Sequence, residues 1–423
     1  MTSEILLLNK RAIVIGADSA VTTSSGAQHP RYSKSANKIF ELTKHGSMAA
    51  AVYGSANLDG VPWELAIKLF RSHLGSTTFG QASDYATALI DFLTANDRLF
   101  PEAFRDRRTT EQFDSAVNEI ARLARNGDLS IFDVGLPLDE RRTAWNRQAE
   151  RIRERLAVKG VSAPLSADSL QRLLDDLQPW TQRVLNQFAG FEPLSAMDVE
   201  DVAELAHRLR YAAPQALLPC SGFVVAGYGD DQIFPAYTQL EIFGHVGSEL
   251  FHQFKTSYEV TLDDGAMIQP LAISSMINAF TDGFDRSLEN IVDEQSRVAF
   301  EKVFEKLRTA GIEVPHTCVD EISDSCQHDF MSEWKRLNRL VNRSPLLGVL
   351  QSLGVEEMAH LAASLLQHQS LKERVTSSSE TVSGPIDVAA ITKEEGLVWI
   401  HRKHFFDLNL NMRYAARLHH SLT

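Results

Sequence analysis

The sequence has few cysteines, no long apolar run and no excess of positive charge. The three cysteines, Cys220, Cys318 and Cys326, are too few for a disulfide scaffold and favour a reducing compartment. No run of 18 apolar residues occurs, so we expect no transmembrane helix and no membrane partner. The first residues lack a basic region ahead of an apolar one, so we expect no signal peptide and a cytoplasmic protein.

The charge balance argues against nucleic acid as a partner. The chain carries a formal net charge of −13, and a broad phosphate-binding face would need the opposite sign. Basic clusters at 105–108 and 140–155 alternate with acidic residues, which is typical of solvated helix faces. With 423 residues and 44% hydrophobic residues, the chain has room for two or three domains, or for one domain with large insertions.

Hydrophobic periodicity predicts three stretches of strands separated by two helical blocks. Short apolar runs bounded by turn residues occur within 1–60, within 220–263 and after residue 385. Apolar residues at helical spacing fill most of 61–212 and 272–379. The first strands are expected to form an antiparallel meander. Strands interrupted by helices predict an α+β fold with antiparallel sheets covered by helices.

The opening segment, MTSEILLLNKRAIVIGADSAVTT, suggests a chemistry. Thr2 precedes an apolar strand, and a second strand ends in Ala-Asp-Ser at Asp18. A threonine hydroxyl is a weak nucleophile unless a base lies beside it, and a free amine on the same residue can be that base. Thr2 has such an amine only after removal of Met1, which a small second residue generally permits.

Four further segments complete a pattern. Lys38 begins the apolar run KIFEL, YGSAN at 53–57 leads into a helix, and Glu380 precedes Ser383-Gly384 and two final strands, IDVAAIT and LVWIHR. Together with the step from Thr2 to Asp18, the chain resembles the catalytic β-type subunits of the proteasome and related bacterial proteases. These are N-terminal nucleophile (Ntn) hydrolases, and a bacterial branch of them is the nearest in motif detail.

The resemblance covers about 1–75, 220–285 and 380–402 and implies a fold. That fold is a four-layer αββα sandwich of two antiparallel sheets with two long helical insertions. The implied divisions are a sheet core at 1–61, 213–271 and 380–403, the first family helices with an insertion at 62–212, a second helical block at 272–379, and a tail at 404–423.

The resemblance also implies roles for residues near the start of the chain. The Thr2 hydroxyl would attack a carbonyl carbon while the Thr2 amine accepts its proton. Lys38 would lower the pKa of the hydroxyl and the amine by its positive charge, and Asp18 would hold Lys38 in place. The backbone N–H of Gly54 would stabilise the oxyanion.

Other positions complete or compete with these roles. Glu380 and Ser383 would close the polar network around the amine. Lys34 is an alternative to Lys38, because the preceding loop is longer than in the family. A further supporting serine is expected at Ser274 or Ser275.

The implied function is hydrolysis of amide bonds, most of all peptide bonds, through an acyl-enzyme on Thr2. The substrate would be a peptide or protein, no cofactor or metal is expected, and the family's rings and spirals imply a homo-oligomer. An unfoldase or another partner stays open. Two alternatives also stay open: a catalytically inactive scaffold or binding subunit, and an amidohydrolase acting on a small molecule. Two Glu-x-x-His segments have the spacing of di-iron sites, but the first lies near strand-rich sequence and two further glutamates cannot be singled out. Cys318, Cys326 and His328 do not have the spacing of a compact zinc site.

Overall fold

Most strands, with the one at Ala266–Ala272 as an exception, occur in the parts of the chain where short apolar runs predict them. The computed structural model describes residues 3–23, 31–33, 35–158, 167–188, 191–312, 316–376, 384–404 and 411–413. The strands are β1 (Ser3–Asn9), β2 (Ile13–Ala17), β3 (Val21–Thr23), β4 (Arg31–Ser33), β5 (Ile39–Glu41), β6 (Met48–Gly54), β7 (Asn57–Leu58), β8 (Val61–Pro62), β9 (Ser221–Gly227), β10 (Ala236–Val246), β11 (Glu249–Glu259), β12 (Ala266–Ala272), β13 (Asp387–Thr392) and β14 (Gly396–His401).

Helices fill the two intervening blocks. They are α1 (Trp63–Leu74), α2 (Ala82–Ala95), α3 (Glu102–Gly127), α4 (Leu138–Val158), α5 (Ala167–Phe188), α6 (Val199–Ala212), α7 (Ser275–Asp282), α8 (Arg286–Thr309), α9 (His316–Asn338), α10 (Ser344–Leu350) and α11 (Val355–Thr376). None of the helices within the described residues is both long enough and apolar enough to cross a membrane.

The larger strands form two antiparallel sheets. The first has the order β12-β1-β2-β13-β14, and the second has the order β11-β10-β9-β6-β5. The predicted α+β class with antiparallel sheets is therefore confirmed. The predicted meander of the first strands is wrong, because β1 and β2 lie in one sheet while β5 and β6 lie in the other. Every residue of β1 is buried, so other elements must pack against both of its faces. The second sheet packs against one of these faces.

Alternation along β1 shows what covers each face. Leu6 and Leu8 pack between the two sheets, whereas Ile5 and Leu7 pack against the α11 side. Helices α1 and α2 cover the outer face of the second sheet in the same way, through apolar residues such as Phe70. The segment that carries Glu4 therefore directs its even-numbered side chains between the sheets.

Strand β12 was not predicted, although it pairs with the whole of β1. Its register places Ala272 opposite Ser3 and Pro270 opposite Ile5. A proline usually argues against a strand because it cannot donate a backbone hydrogen bond, but it is tolerated at a sheet edge. β12 is an edge strand, and it holds the beginning of β1 on one side while β2 holds it on the other.

The helical blocks pack in two different ways. Helices α3 to α6 share an apolar core of their own, which includes Phe113, Trp145 and Leu205. In the second block, the long helical pattern predicted after residue 272 breaks at Gly283, whose φ of 80° lies in the left-handed region. Asp285 then caps α8 by accepting hydrogen bonds from two backbone N–H groups. The proposed domain limits stay predictions.

Candidate functional site

Asp18 and Lys38 form a buried ion pair at the beginning of β1. The Lys38 Nζ atom lies 2.6 Å from Asp18 Oδ1, and the two side chains are 4% and 2% exposed. The same Oδ1 accepts a hydrogen bond from the backbone N–H of Ser3 at 3.0 Å. Asp18 Oδ2 accepts another from the backbone N–H of Ala20 at 3.2 Å. The Asp18 carboxylate thus accepts hydrogen bonds from one ammonium group and two backbone N–H groups.

Strand register explains why these groups meet. Glu4 pairs with Ala17 in the antiparallel ladder of β1 and β2, so Asp18 follows directly opposite Ser3. The Asp18 backbone N–H also donates to the Ser3 carbonyl oxygen at 3.1 Å. Lys38 belongs to the other sheet, where its carbonyl oxygen accepts a hydrogen bond from Val52 N–H at 3.0 Å. The ion pair therefore joins the two sheets.

Gly54 ends strand β6 in a conformation that favours glycine. Its φ is 80°, and a Cβ atom at this position would lie 2.7 Å from the carbonyl oxygen of Cys220. That same carbonyl oxygen accepts a hydrogen bond from Ser55 N–H at 3.1 Å. The backbone here has no room for a larger residue.

A cavity of about 180 Å³ connects these elements. Both Lys38 and Gly54 line it, so two of the predicted site residues face one space. Its apolar and aromatic walls come from Val21, Ala36, Phe40, Val52, Tyr53 and Trp63. The arrangement offers a small apolar recess beside a buried positive charge.

Glu4 is a site residue that the sequence analysis missed. Its side chain is fully buried, and neither carboxyl oxygen has a hydrogen-bond partner among the described residues. Burial raises its pKa well above 4.5, Lys38 lowers the pKa in part, and Asp18 raises it further. The available signal was an acidic residue inside a strand that is otherwise apolar, two residues after Thr2.

Tyr53 is a third ionisable group near Glu4, in addition to Lys38 and Asp18. Its hydroxyl oxygen accepts a hydrogen bond from Gln239 Nε2 at 2.6 Å. Burial raises the pKa of Tyr53 to about 12, a direction that the charge of Glu4 reinforces. Gly222 accommodates the ring, because a Cβ atom there would lie only 1.9 Å from the Tyr53 Cζ atom.

Four predicted or alternative site residues, Thr2, Lys34, Glu380 and Ser383, lie outside the described residues. Of the lysines at 34 and 38, the described Lys38 contacts Asp18.

Ser274 and Ser275 follow β12 near the beginning of β1, but their hydroxyls are engaged elsewhere. Ser274 Oγ accepts from Asn278 Nδ2 at 3.1 Å, and Ser275 Oγ accepts from Gln369 Nε2 at 3.4 Å. These bonds lie within α7 and between α7 and α11. The structure therefore places both serines in helix packing.

A second buried acidic group anchors α3 to the second sheet. Asp59 Oδ2 lies 2.8 Å from both the backbone nitrogen and the Nδ1 atom of His245. The His245 carbonyl oxygen in turn accepts a hydrogen bond from Gln112 Nε2 at 2.7 Å. These contacts explain the burial of an aspartate and a histidine without any catalytic role.

No metal site accompanies these groups in the part of the chain that the structure describes. There, no three His, Cys, Asp or Glu side chains come close enough together to hold a metal ion. The Glu-x-x-His segment at 249–252 lies on strand β11, where His252 Nδ1 is 2.9 Å from the Leu250 carbonyl oxygen.

Comparisons with known proteins give structural neighbours but no sequence family. No family model matches the chain, and no curated protein matches it. The Gly-1 mutant of Anbu from Hyphomicrobium sp. strain MC1 is similar at a TM-score of 0.32 and 10% identity, over 100% of this chain and 96% of that one. Anbu, an ancestral β-subunit, from Yersinia bercovieri is similar at a TM-score of 0.27 and 10% identity, over 98% and 94%. Similarity at this level carries no functional argument, so function is inferred from the site.

Proposed function

We propose that the protein is a proteasome-like N-terminal threonine hydrolase that cleaves amide bonds, chiefly peptide bonds. The observation that carries this proposal is the sharing of one buried Asp18 oxygen by Lys38 and the Ser3 N–H. The Ser3 nitrogen is bonded covalently to the carbonyl carbon of Thr2. Thr2 is therefore joined to a nitrogen whose hydrogen is bonded to the same carboxylate oxygen as Lys38.

The ion pair supplies what a threonine nucleophile needs. A positive charge near a hydroxyl or an amine favours its deprotonated form, and the effect is stronger where water is excluded. Asp18 holds Lys38 in place, and its two backbone donors keep the carboxylate fixed. A charge arranged before the reaction begins does not need to reorganise as the transition state forms.

The proposed reaction has two halves. In the first, Thr2 Oγ bonds to the substrate carbonyl carbon while its proton passes to the Thr2 amine. The proton then moves to the leaving nitrogen, and the C–N bond breaks to leave an acyl-enzyme. In the second half, water attacks the acyl carbon and gives a proton to the Thr2 amine. The bond between Oγ and the acyl carbon then breaks, the amine returns that proton to Oγ, and the acid product leaves. The Gly54 N–H is proposed to donate to the oxyanion, and Glu380 and Ser383 to complete the network around the amine.

The cavity beside Lys38 and Gly54 suits the side chain that precedes the cleaved bond. Its walls are mostly apolar and aromatic, and its volume of about 180 Å³ fits a single side chain. We therefore propose an apolar residue at that substrate position. A charged side chain there would lose its hydration, and the charged groups at the cavity are already paired, Lys38 with Asp18 and Glu64 with Lys68.

The proposal includes the wider organisation implied by the family. The two sheets would form the core of an Ntn-hydrolase sandwich, within the limits 1–61, 213–271 and 380–403. The segments 62–212 and 272–379 would be the helical additions. The protein would act in the cytoplasm as a homo-oligomer on peptide or protein substrates, without a cofactor.

Intact-mass analysis tests the proposal directly. The purified full chain should lack Met1, and a peptide epoxyketone should add one label, because this probe needs both a hydroxyl and a free amine. Thr2→Ala should abolish labelling, whereas Thr2→Ser should retain part of it. All three second residues are small, so removal of Met1 is matched among them. Retention of Met1, or labelling of Thr2→Ala, would contradict the proposal. Ser3→Ala serves as the control and should label like the wild type.

A further inference from the structure

Glu4 brings a third ionisable group to a site that already holds a complete ion pair. The carboxyl group is fully buried, and its oxygens have no hydrogen-bond partner among the described residues. The cross-strand neighbours of Glu4 are Ala17 and Leu271, which are apolar. A charged carboxylate in such surroundings would cost several kcal/mol or more.

The carboxyl groups of Asp18 and Glu4 differ in the hydrogen-bond donors that surround them. Asp18 receives two backbone N–H donors and the Lys38 ammonium, whereas the Glu4 carboxyl oxygens have no hydrogen-bond donor among the described residues. One ammonium group faces two carboxyl groups in a space that excludes water. The negative charge is therefore most stable on Asp18, and the proton is most stable on Glu4.

We propose that Glu4 is a positioning residue that stays protonated and uncharged, so that Lys38 keeps Asp18 as its one carboxylate partner, and that ionisation of Glu4 turns the site off. The second part rests on the proposed function, whereas the protonation state does not. Glu4 acts through Lys38 and contributes no atom to the reaction.

The charged and titratable groups that face Glu4 are Lys38, Asp18 and Tyr53. Tyr53 stays neutral until strongly alkaline pH. Asp18 already accepts hydrogen bonds from Ser3 N–H, Ala20 N–H and Lys38. Ionisation of Glu4 is thus the change that makes the neutral site anionic. A second negative charge beside Lys38 cancels its effect on the nucleophile and stabilises the protonated hydroxyl and amine.

Infrared difference spectroscopy tests the protonation state without any need for activity. At pH 7 the wild-type spectrum should contain the carbonyl band of a protonated carboxylic acid, and Glu4→Gln should remove that band. Glu356→Gln is the matched control, because its side chain is 88% exposed, and it should leave the band in place. Glu4→Leu provides a second removal of the band if glutamine is not tolerated. If neither variant at Glu4 loses an acid band, the proposal is overturned.

The pH dependence of labelling tests the effect on the site. The epoxyketone labelling rate of the wild type should fall by about tenfold per pH unit once Glu4 ionises. Glu4→Gln should lose this alkaline fall, whatever its rate at pH 7, while Glu356→Gln should keep it. Identical profiles for the wild type and Glu4→Gln would overturn the switching role. If no protein labels at any pH, the proposed function fails, and the infrared result still decides the state of Glu4.

Discussion

Removing either partner of the ion pair between Asp18 and Lys38 should destabilise the protein strongly. Both side chains are almost fully buried, and their charged atoms are 2.6 Å apart. Loss of one partner from a buried pair costs about 3–5 kcal/mol, because it leaves an uncompensated charge away from water. The informative substitutions are Asp18→Asn and Lys38→Met, which keep nearly the same volume.

The structure predicts which of the two substitutions costs more. After Lys38→Met, Asp18 still accepts hydrogen bonds from Ser3 N–H and Ala20 N–H, at 3.0 and 3.2 Å. Hydrogen bonds to a charged group contribute about 1.5–3 kcal/mol each, so this variant should lose about 3 kcal/mol. After Asp18→Asn, the Lys38 ammonium loses its carboxylate, and Glu4 can replace it only by releasing its proton. In a Glu4→Gln background, where no replacement exists, the loss from Asp18→Asn should approach about 5 kcal/mol.

Urea unfolding at pH 7, followed by circular dichroism, measures these losses in a double-mutant cycle. The double variant holds neither charge and should be more stable than Asp18→Asn alone. The reasoning is refuted if the double variant loses the sum of the two single losses to within about 0.5 kcal/mol, since that marks independent sites. It is also refuted if each single substitution costs under about 1 kcal/mol, which is the value of an exposed pair.

Three further predictions concern other buried groups. Glu4 keeps its proton in the folded protein at pH values where the unfolded chain, above about pH 4.5, has released it. The contribution of Glu4 to the free energy of unfolding is therefore complete below that pH and is lost as the pH rises towards the folded-state pKa. Between the unfolded-state and folded-state pKa of Glu4, the free energy of unfolding of the wild type should therefore fall by about 1.4 kcal/mol per pH unit relative to that of Glu4→Gln. A constant difference between the two proteins across this pH range, measured by urea unfolding, would contradict this. Gly54→Ala should lower the melting temperature more than Gly60→Ala. The two φ values are similar, 80° and 85°, but only at Gly54 would the new Cβ atom lie close to a carbonyl oxygen, that of Cys220 at 2.7 Å. Equal decreases in melting temperature would show that the positive φ, and not this contact, causes the loss. His245→Leu removes the ring that contacts buried Asp59 and should cost about 3 kcal/mol in urea unfolding, whereas a loss below about 1 kcal/mol would mean that Asp59 is satisfied by its backbone donor.

The sequence indicated that Asp18 and Lys38 belong together, and the structure shows their ion pair, while their catalytic roles stay predictions. The apolar run beginning at Ser3 and the turn before Ala12 predict a β-hairpin, and antiparallel register then brings Asp18 opposite Ser3. Lys38 was implied by the resemblance to the family, in which a lysine begins an apolar strand. Both inferences depend on contacts within a few residues or on family spacing, which a sequence expresses directly.

Long-range packing was harder to predict. A strand that is buried on both faces has no polar alternation to show which side chains face the other sheet, so the inward direction of Glu4 was not visible. Strand β12 was missed because the proline in its sequence is typical of a break, and its edge position appears only once the sheet is assembled. The first strands divide between two sheets according to the strands and helices that pack against each of them. That packing depends on distant parts of the chain.

The ionic groups of the site are costly to retain, and that cost bears on their role. A buried ion pair is often no more stable than well-packed apolar residues of similar volume. Glu4 adds a carboxyl group without a hydrogen-bond partner among the described residues, in a layer otherwise filled by residues such as Leu6 and Leu8. Three leucine-sized residues would fill the same space without desolvating any charge. Local conflicts with stability of this kind are expected where function requires them. The proposed chemistry at the beginning of β1 would account for a cost that the stability of the fold does not require.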